Sequence, residues 1–134
     1  MREIAVVGLG NAHRGDDAAG LLAVERLRNR GESSFETFQS AGDMTELMDL
    51  FQSFRTVYVV DALAASSAAT GAVVRVEGDA CSLPMARAQS STHAFGLGEL
   101  VELARTLRIL PSRLVIFGIN GRRFGMGEEV SREV

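Results

Sequence analysis

Residues 4–17 read Ile-Ala-Val-Val-Gly-Leu-Gly-Asn-Ala-His-Arg-Gly-Asp-Asp, an apolar run followed by a glycine-rich turn and two adjacent acids. The run from Ile4 to Val7 is typical of a buried strand, and the segment from Asp17 to Arg30 has roughly the apolar spacing of a helix. A strand that ends in glycine places the following acids at its carboxyl end, where open α/β sheets keep their ligands. This stretch therefore predicts an α/β fold with a site at that edge of the sheet.

The rest of the chain alternates predicted strands and helices. Further strands are predicted over residues 34–39, 56–61, 71–77 and 113–119, and further helices after Gly42 and Gly96. The second helix is expected to start with a capping box, Asp43-Met44-Thr45-Glu46. The link between the third and fourth strands is too short for a crossover helix, which indicates an antiparallel neighbour. This order predicts a three-layer α/β/α sandwich around a five-stranded, mostly parallel mixed sheet with one antiparallel strand.

Composition excludes several classes of protein. A length of 134 residues fits a single domain over residues 1–134, and a net charge of −3 argues against a nucleic-acid-binding surface. The N-terminus does not resemble a signal peptide, and no apolar run approaches the roughly 20 residues of a membrane-spanning helix. The only cysteine, Cys81, excludes a disulfide within the chain and fits a reducing, cytoplasmic location.

Three polar positions are expected to converge at one edge of the sheet. Asp16 and Asp17 follow the first strand, Asp61 ends the third, and His93 lies in the loop before the third helix. Because the carboxyl ends of parallel strands meet at one edge, Asp17, Asp61 and His93 can share a pocket. Two carboxylates and an imidazole suit a divalent ion such as nickel or zinc.

Each of these residues also has a structural explanation. Asp17 can be an N-cap or a first-turn acid of the first helix, and one of two adjacent acids normally faces solvent or caps the backbone. A lone histidine such as His93 is weak support for a ligand. Asp61 is harder to explain in this way, because an acid that closes a buried strand must be solvated, paired or bound to metal.

Three other chemistries remain open from the residues alone. The glycines at 8 and 10 match the start of a dinucleotide fingerprint, which favours a non-catalytic nucleotide- or metal-binding module, but His13 stands at the third glycine position. Asp17 and Asp61 can form a metal-independent dyad that shares one proton, as in aspartic peptidases. Cys81 and His93 can pair as a thiol nucleophile and base, although nothing near Cys81 resembles an activating turn.

Four groups of residues, in order along the chain, resemble the hydrogenase maturation proteases. They are Gly8-Leu9-Gly10-Asn11 with Arg14-Gly15-Asp16-Asp17 and Gly20; Val60-Asp61-Ala62; Ser91-Thr92-His93 with Gly96-Leu97 and Glu99-Leu100; and Phe117-Gly118-Ile119. The resemblance implies a phosphorylase/hydrolase-like fold. It also implies an endopeptidase that recognises nickel in the precursor of a nickel-iron hydrogenase large subunit and removes the C-terminal extension of that precursor.

The resemblance also assigns roles to residues of this chain. Asp17, Asp61 and His93 would be both the metal ligands and the catalytic groups. Asn11, Arg14 and Asp16 would contact the substrate or orient the ligands, with Asp16 as the structural partner in the acid pair. No cofactor would be permanently bound, since the nickel arrives with the precursor, and zinc or cadmium would substitute in the empty site.

Three features depart from the family pattern. Ala18 replaces a glycine after the acid pair, and residues 39–43 replace a glycine-threonine turn after the second strand. Relatives also continue beyond Val134 into a C-terminal helix that covers the sheet. With three helices identified, the cover of the sheet is expected to be thin on at least one side, and the exposed apolar face is expected to promote self-association into a homo-oligomer.

Overall fold

The computed structural model describes residues 2–32, 34–64, 69–78 and 96–134. Its strands are β1 (Arg2–Leu9), β2 (Glu36–Ser40), β3 (Phe54–Leu63), β4 (Val73–Glu77) and β5 (Arg113–Asn120). Its helices are α1 (Ala19–Asn29), α2 (Met44–Ser53) and α3 (Leu97–Thr106), and a short 3-10 helix (Gly15–Ala18) precedes α1. Among the described residues, no helix is long and apolar enough to cross a membrane.

The five strands form one mixed sheet in the order β2-β1-β3-β5-β4. The pairs β1–β2, β1–β3 and β3–β5 are parallel, and β4 pairs with β5 in the antiparallel direction. This topology confirms the predicted fold class, including its one antiparallel strand. The neighbour of β4 is β5, not the preceding β3, so the expectation that the short link joins two antiparallel neighbours is wrong.

The two faces of the sheet are covered unequally. On one face α2 and α3 enclose a large apolar cluster, and on the other face α1 packs against β1, β2 and β3. The buried members of the cluster on the α1 face are Val6, Val24 and Val60, with Tyr58, Phe117 and Ile119 only partly buried against them. Within the described residues, the α1 face therefore has the smaller buried cluster, and the thin cover stays a prediction.

The start of α2 follows the predicted capping signal in part. Oδ1 of Asp43 accepts hydrogen bonds from the backbone N–H groups of Thr45 (2.8 Å) and Glu46 (3.2 Å), as an N-cap residue does. The Glu46 carboxylate accepts a hydrogen bond from the Ser40 hydroxyl at 2.7 Å. The second half of a capping box, from Glu46 to the backbone of Asp43, is thus replaced by a contact that ties α2 to the end of β2.

Gly20 lets α1 approach the sheet closely. A Cβ atom at this position would overlap the carbonyl oxygens of Val60 in β3 and Leu9 in β1, neither of which can move without disturbing the strands. We expect Gly20→Ala to lower the free energy of unfolding by about 2–3 kcal/mol, as overpacking does in other cores. Urea denaturation measures this change.

Gly98, in the first turn of α3, is the matched control for Gly20. A Cβ at Gly98 meets nothing within 4 Å. Because alanine is the better helix former, we expect Gly98→Ala to be neutral or to stabilise the protein by up to about 1 kcal/mol. Equal losses of stability in the two variants would contradict the close approach at Gly20.

Candidate functional site

Two of the predicted site residues lie at the same edge of the sheet. Asp17 lies in the 3-10 helix after β1, and Asp61 lies near the carboxyl end of β3. The strands β1 and β3 are parallel neighbours with Gly8 paired to Val60, so their carboxyl ends coincide. The third predicted ligand, His93, lies outside the described residues and stays a prediction. So do the predictions for Cys81.

Asp17 is held inside the fold by the tight turn that precedes α1. The residue is 1% exposed, and both carboxylate oxygens are shielded from solvent. Its N–H donates to the carbonyl of Arg14 (3.0 Å), and its carbonyl accepts from the N–H of Asn11 (3.3 Å). Gly10 makes room for this carbonyl, because a Cβ at Gly10 would overlap it.

The N-cap explanation for Asp17 is wrong. The 3-10 helix and α1 are preceded by Arg14 and Ala18 respectively, and neither start has a side-chain cap. Asp17 is instead a first-turn acid of the 3-10 helix, and α1 begins two residues after it, at Ala19. Of the two structural explanations for Asp17, the structure supports the first-turn acid and not the N-cap.

Asp61 has an unusually high pKa for an aspartate. Burial and, to a smaller extent, the nearby charge of Asp17 raise the pKa of Asp61 to about 7, although a hydrogen bond from the backbone N–H of Ala62 opposes the rise. That hydrogen bond joins Ala62 N to Asp61 Oδ1 at 2.8 Å. The electrostatic effect of Asp17 on Asp61 shows that the structure brings the two predicted acids together.

A pair of carboxylates, one buried and one partly buried, can do two kinds of chemistry. The pair can share a proton, since two adjacent negative charges in a buried site repel each other, or it can bind a cation that neutralises both. In the described parts of the chain, no group of three His, Cys, Asp or Glu side chains is placed to hold a metal ion. The described residues thus supply only these two carboxylates to a metal at this site. Further ligands would come from the other residues of the chain, such as His93, or from a substrate.

Asp16 turns inward, toward the C-terminal segment, which comprises residues 121–134. The residue has no solvent exposure. Its Oδ2 accepts hydrogen bonds from the backbone of Arg122 (2.8 Å) and Arg123 (3.0 Å) and from the Ser131 hydroxyl (2.7 Å), and its Oδ1 accepts from the Ser131 N–H (2.6 Å). This position makes Asp16 an internal anchor, with both oxygens engaged inside the protein.

The hydrogen bonds of Asp16 also govern its titration. Burial alone would raise the pKa of Asp16, but the hydrogen bonds from Arg122, Ser131 and Arg123 together outweigh burial and hold the pKa below its ordinary value of 3.8. The pKa values of Asp16 and Asp61 are thus shifted in opposite directions. Asp16 is held as a stable anion, whereas Asp61 resists ionisation.

The anchoring role of the C-terminal segment is a feature that sequence reasoning missed. Ser131 is 115 residues from Asp16 along the chain, and the backbone N–H of Asp16 donates to the carbonyl of Arg123 at 2.6 Å. Nothing in the local sequence around Ser131 signals such a contact. The one related signal is that Asp16 and Asp17 are adjacent, since one acid of such a pair was expected to be structural.

Asn11 and Arg14 lie in the turn that carries the acids. Oδ1 of Asn11 accepts a hydrogen bond from the backbone of His13 at 2.8 Å, which stabilises the turn. The Arg14 side chain is partly exposed, and its Nε is buried without a hydrogen-bond partner among the described residues. The turn is also joined to the end of β2, since Gly10 N–H donates to the Ser40 carbonyl at 3.1 Å.

The chain matches known proteins in both sequence family and fold. The family model described as hydrogenase maturation protease matches residues 23–134, a range that contains Asp61 and His93 but not Asp17. A comparison with curated protein sequences found no match.

Similar solved structures include the NiFe hydrogenase maturation protease HybD from Thermococcus kodakarensis. It has 24% identity and a TM-score of 0.73, and the match covers 99% of this chain and 88% of that chain. The hydrogenase maturating endopeptidase HybD from E. coli has 20% identity and a TM-score of 0.71, with 100% and 83% covered. An endopeptidase from Escherichia coli has 19% identity and a TM-score of 0.74, with 98% and 81% covered.

Proposed function

Because the chain belongs to the hydrogenase maturation protease family, we propose that it removes the C-terminal extension from a hydrogenase large-subunit precursor after recognising nickel in that precursor. The family supports a peptidase that acts on such precursors. The proposal adds nickel recognition and a site made of Asp17, Asp61 and His93.

The observation that carries the proposal is the acid pair, in which Asp17 is buried and Asp61 is partly buried. Asp17 is withdrawn from solvent, and its charge helps to raise the pKa of Asp61 to about 7. Such a pair is electrostatically strained when both carboxylates are ionised, and a divalent cation relieves the strain. A site of this kind favours substrate that brings a cation over substrate that does not.

The proposed mechanism makes metal insertion a condition for cleavage. Asp17, Asp61 and His93 would supply carboxylate and imidazole ligands to a nickel ion that the precursor carries, which suits the ligand preferences of nickel. This contact would hold the scissile bond at the site, where the metal can polarise the carbonyl or activate water. Arg14 lies in the same turn, its Nε has no hydrogen-bond partner among the described residues, and it would bind a peptide carbonyl or carboxylate of the substrate.

The test is cleavage of one precursor prepared with and without nickel. We expect the nickel-loaded precursor to lose its C-terminal extension and the nickel-free precursor to remain intact, as measured by the mass of the large subunit. Asp17→Asn and His93→Gln should each abolish cleavage of the loaded precursor, because each removes a metal ligand. Cleavage by either variant at the wild-type rate would remove that residue from the proposed site.

The metal-independent acid dyad is the second candidate, favoured by the raised pKa of Asp61 beside Asp17. One protonated and one ionised carboxyl is the arrangement that aspartic peptidases use. This candidate predicts cleavage of the nickel-free precursor at acidic pH and no effect of His93→Gln. Binding of nickel without cleavage of either precursor would instead indicate a non-catalytic binding module.

A further inference from the structure

We propose that the protein forms a two-fold symmetric dimer in which the edge strand β4 pairs with the β4 strand of a second copy of this chain. The inference is independent of the proposed activity. It rests on the exposure of β4, on the direction of its backbone groups and on the order of its charges.

β4 is an edge strand with exposed apolar side chains. Among the strands of the described residues, it is the last one of the sheet, beyond β5. Val73 is 61% exposed and Val74 is 38% exposed, although valine is a residue that strands usually bury. The α1 face beside this edge is the thinly covered one, where Phe117 and Ile119 are partly buried.

Part of the backbone of β4 points away from β5, toward a side that no described strand occupies. Val74 and Val76 stand opposite Gly118 and Ile116 of β5. The same alternation extends to bonds from Asn120 N–H to the Ala72 carbonyl (2.8 Å) and from Gly78 N–H to the Leu114 carbonyl (2.8 Å). Because bonding residues alternate along an antiparallel strand, the backbone groups of the residues between them point away from β5. These are Val73, Arg75 and Glu77.

The charges on β4 are complementary to themselves. Arg75 and Glu77 lie on one face of the strand and form an ion pair at 3.0 Å, with their side chains 50% and 46% exposed. In an antiparallel pair with Val76 on the two-fold axis, Arg75 stands opposite the partner's Glu77, and Glu77 stands opposite the partner's Arg75. Opposite charges across strands stabilise pairing.

Neighbouring registers are less favourable. With Arg75 on the axis, two arginines face each other, which is destabilising. With Val74 on the axis, Arg75 faces the partner's Val73 and gains no ion pair. Charged side chains on an edge strand usually oppose association. Here their order selects one partner, a second copy of the same strand, and one register.

Charge reversal at β4 tests both the dimer and its register. Sedimentation velocity at about 100 µM protein should give the wild type twice the mass of one chain. Arg75→Glu alone and Glu77→Arg alone should each weaken the dimer about tenfold or more, because each sets like charges opposite each other. The double variant Arg75→Glu/Glu77→Arg should recover the wild-type dimer, and an equimolar mixture of the two single variants should form a mixed dimer.

Two results would overturn the inference. One is a monomeric wild type at this concentration, and the other is an unchanged dimer in either single variant, which would place the interface elsewhere. Circular dichroism identifies any variant that has failed to fold. In that case the double variant and the other single variant still decide the outcome.

Discussion

Replacing Asp61 with Asn is expected to abolish removal of the extension from a nickel-loaded precursor and, at the same time, to make the fold more stable at pH 8. The two effects have one physical cause. The carboxyl is held in a partly buried position beside Asp17, where its charge is unfavourable, and the pKa is raised to about 7 for that reason. The proposed metal site uses this charge, and the amide removes it.

The pH dependence of the stability gain follows from the direction of the shift. Below pH 3.8 the Asp61 carboxyl is protonated in both the folded and the unfolded state. Between 3.8 and about 7 the folded state keeps a proton that the unfolded state has lost, so the free energy of unfolding falls as pH rises. Above about pH 7 both states are ionised and the loss is complete.

An asparagine at position 61 does not titrate, so the free energy of unfolding of the variant does not fall in this way as the pH rises. We expect Asp61→Asn to match the wild type near pH 4 and to exceed it by about 2 kcal/mol at pH 8, since each pKa unit corresponds to about 1.4 kcal/mol and residual solvation weakens the effect. Urea denaturation from pH 4 to pH 8 measures the difference. The matched control is Asp49→Asn, which removes the same charge from an exposed position on α2.

Stability and cleavage test the Asp61 prediction separately. A variant that is as stable as the wild type at every pH would contradict the unfavourable charge at position 61. Full cleavage by a correctly folded Asp61→Asn variant would contradict its place in the site, whatever its stability. Loss of cleavage together with a gain of stability would support both.

Asp16→Asn is expected to destabilise the protein by about 3–5 kcal/mol, because it disrupts buried hydrogen bonds to an ionised group. Both oxygens of Asp16 accept hydrogen bonds from N–H or O–H donors. An amide group turns an N–H toward at least one of those donors, whichever way it is oriented. The C-terminal segment would then lose its anchor beside the acid turn.

The pH dependence of Asp16 has the opposite sign to that of Asp61. The pKa of Asp16 is held below 3.8, so its stabilising contribution is present above pH 3.8 and is lost as the pH falls through the folded-state pKa. Acid denaturation monitored by circular dichroism should therefore be less steep below pH 4 in Asp16→Asn than in the wild type.

Ser131→Ala is the matched control for Asp16→Asn. It removes the hydroxyl donor at 2.7 Å but leaves the backbone donor of the same residue in place. We expect a loss of about 1–2 kcal/mol in the free energy of unfolding, clearly smaller than that of Asp16→Asn. If Asp16→Asn costs no more than Ser131→Ala, Asp16 is not the anchor that the structure indicates.

Local patterns in the sequence were enough to predict the order of the elements. Apolar runs mark β1, β3 and β5, and Asp43 marks the start of α2, because strand burial and N-capping depend on residues that are close in the chain. The same patterns placed Asp17 and Asp61 at one edge, since parallel strands share their carboxyl ends. The start of the first helix was less well predicted, because a hydrogen bond from Asp17 N–H to the Arg14 carbonyl tightens that turn into a 3-10 helix.

The sequence by itself determined the α/β order, the parallel core of the sheet and the candidate acids, because each depends on periodicity or on the end of a strand. Only the tertiary structure decided that β4 pairs with β5, that Asp16 holds a segment more than 100 residues away and that Asp17 raises the pKa of Asp61. These features depend on which distant groups become neighbours and on how much water they lose. No short stretch of sequence carries that information.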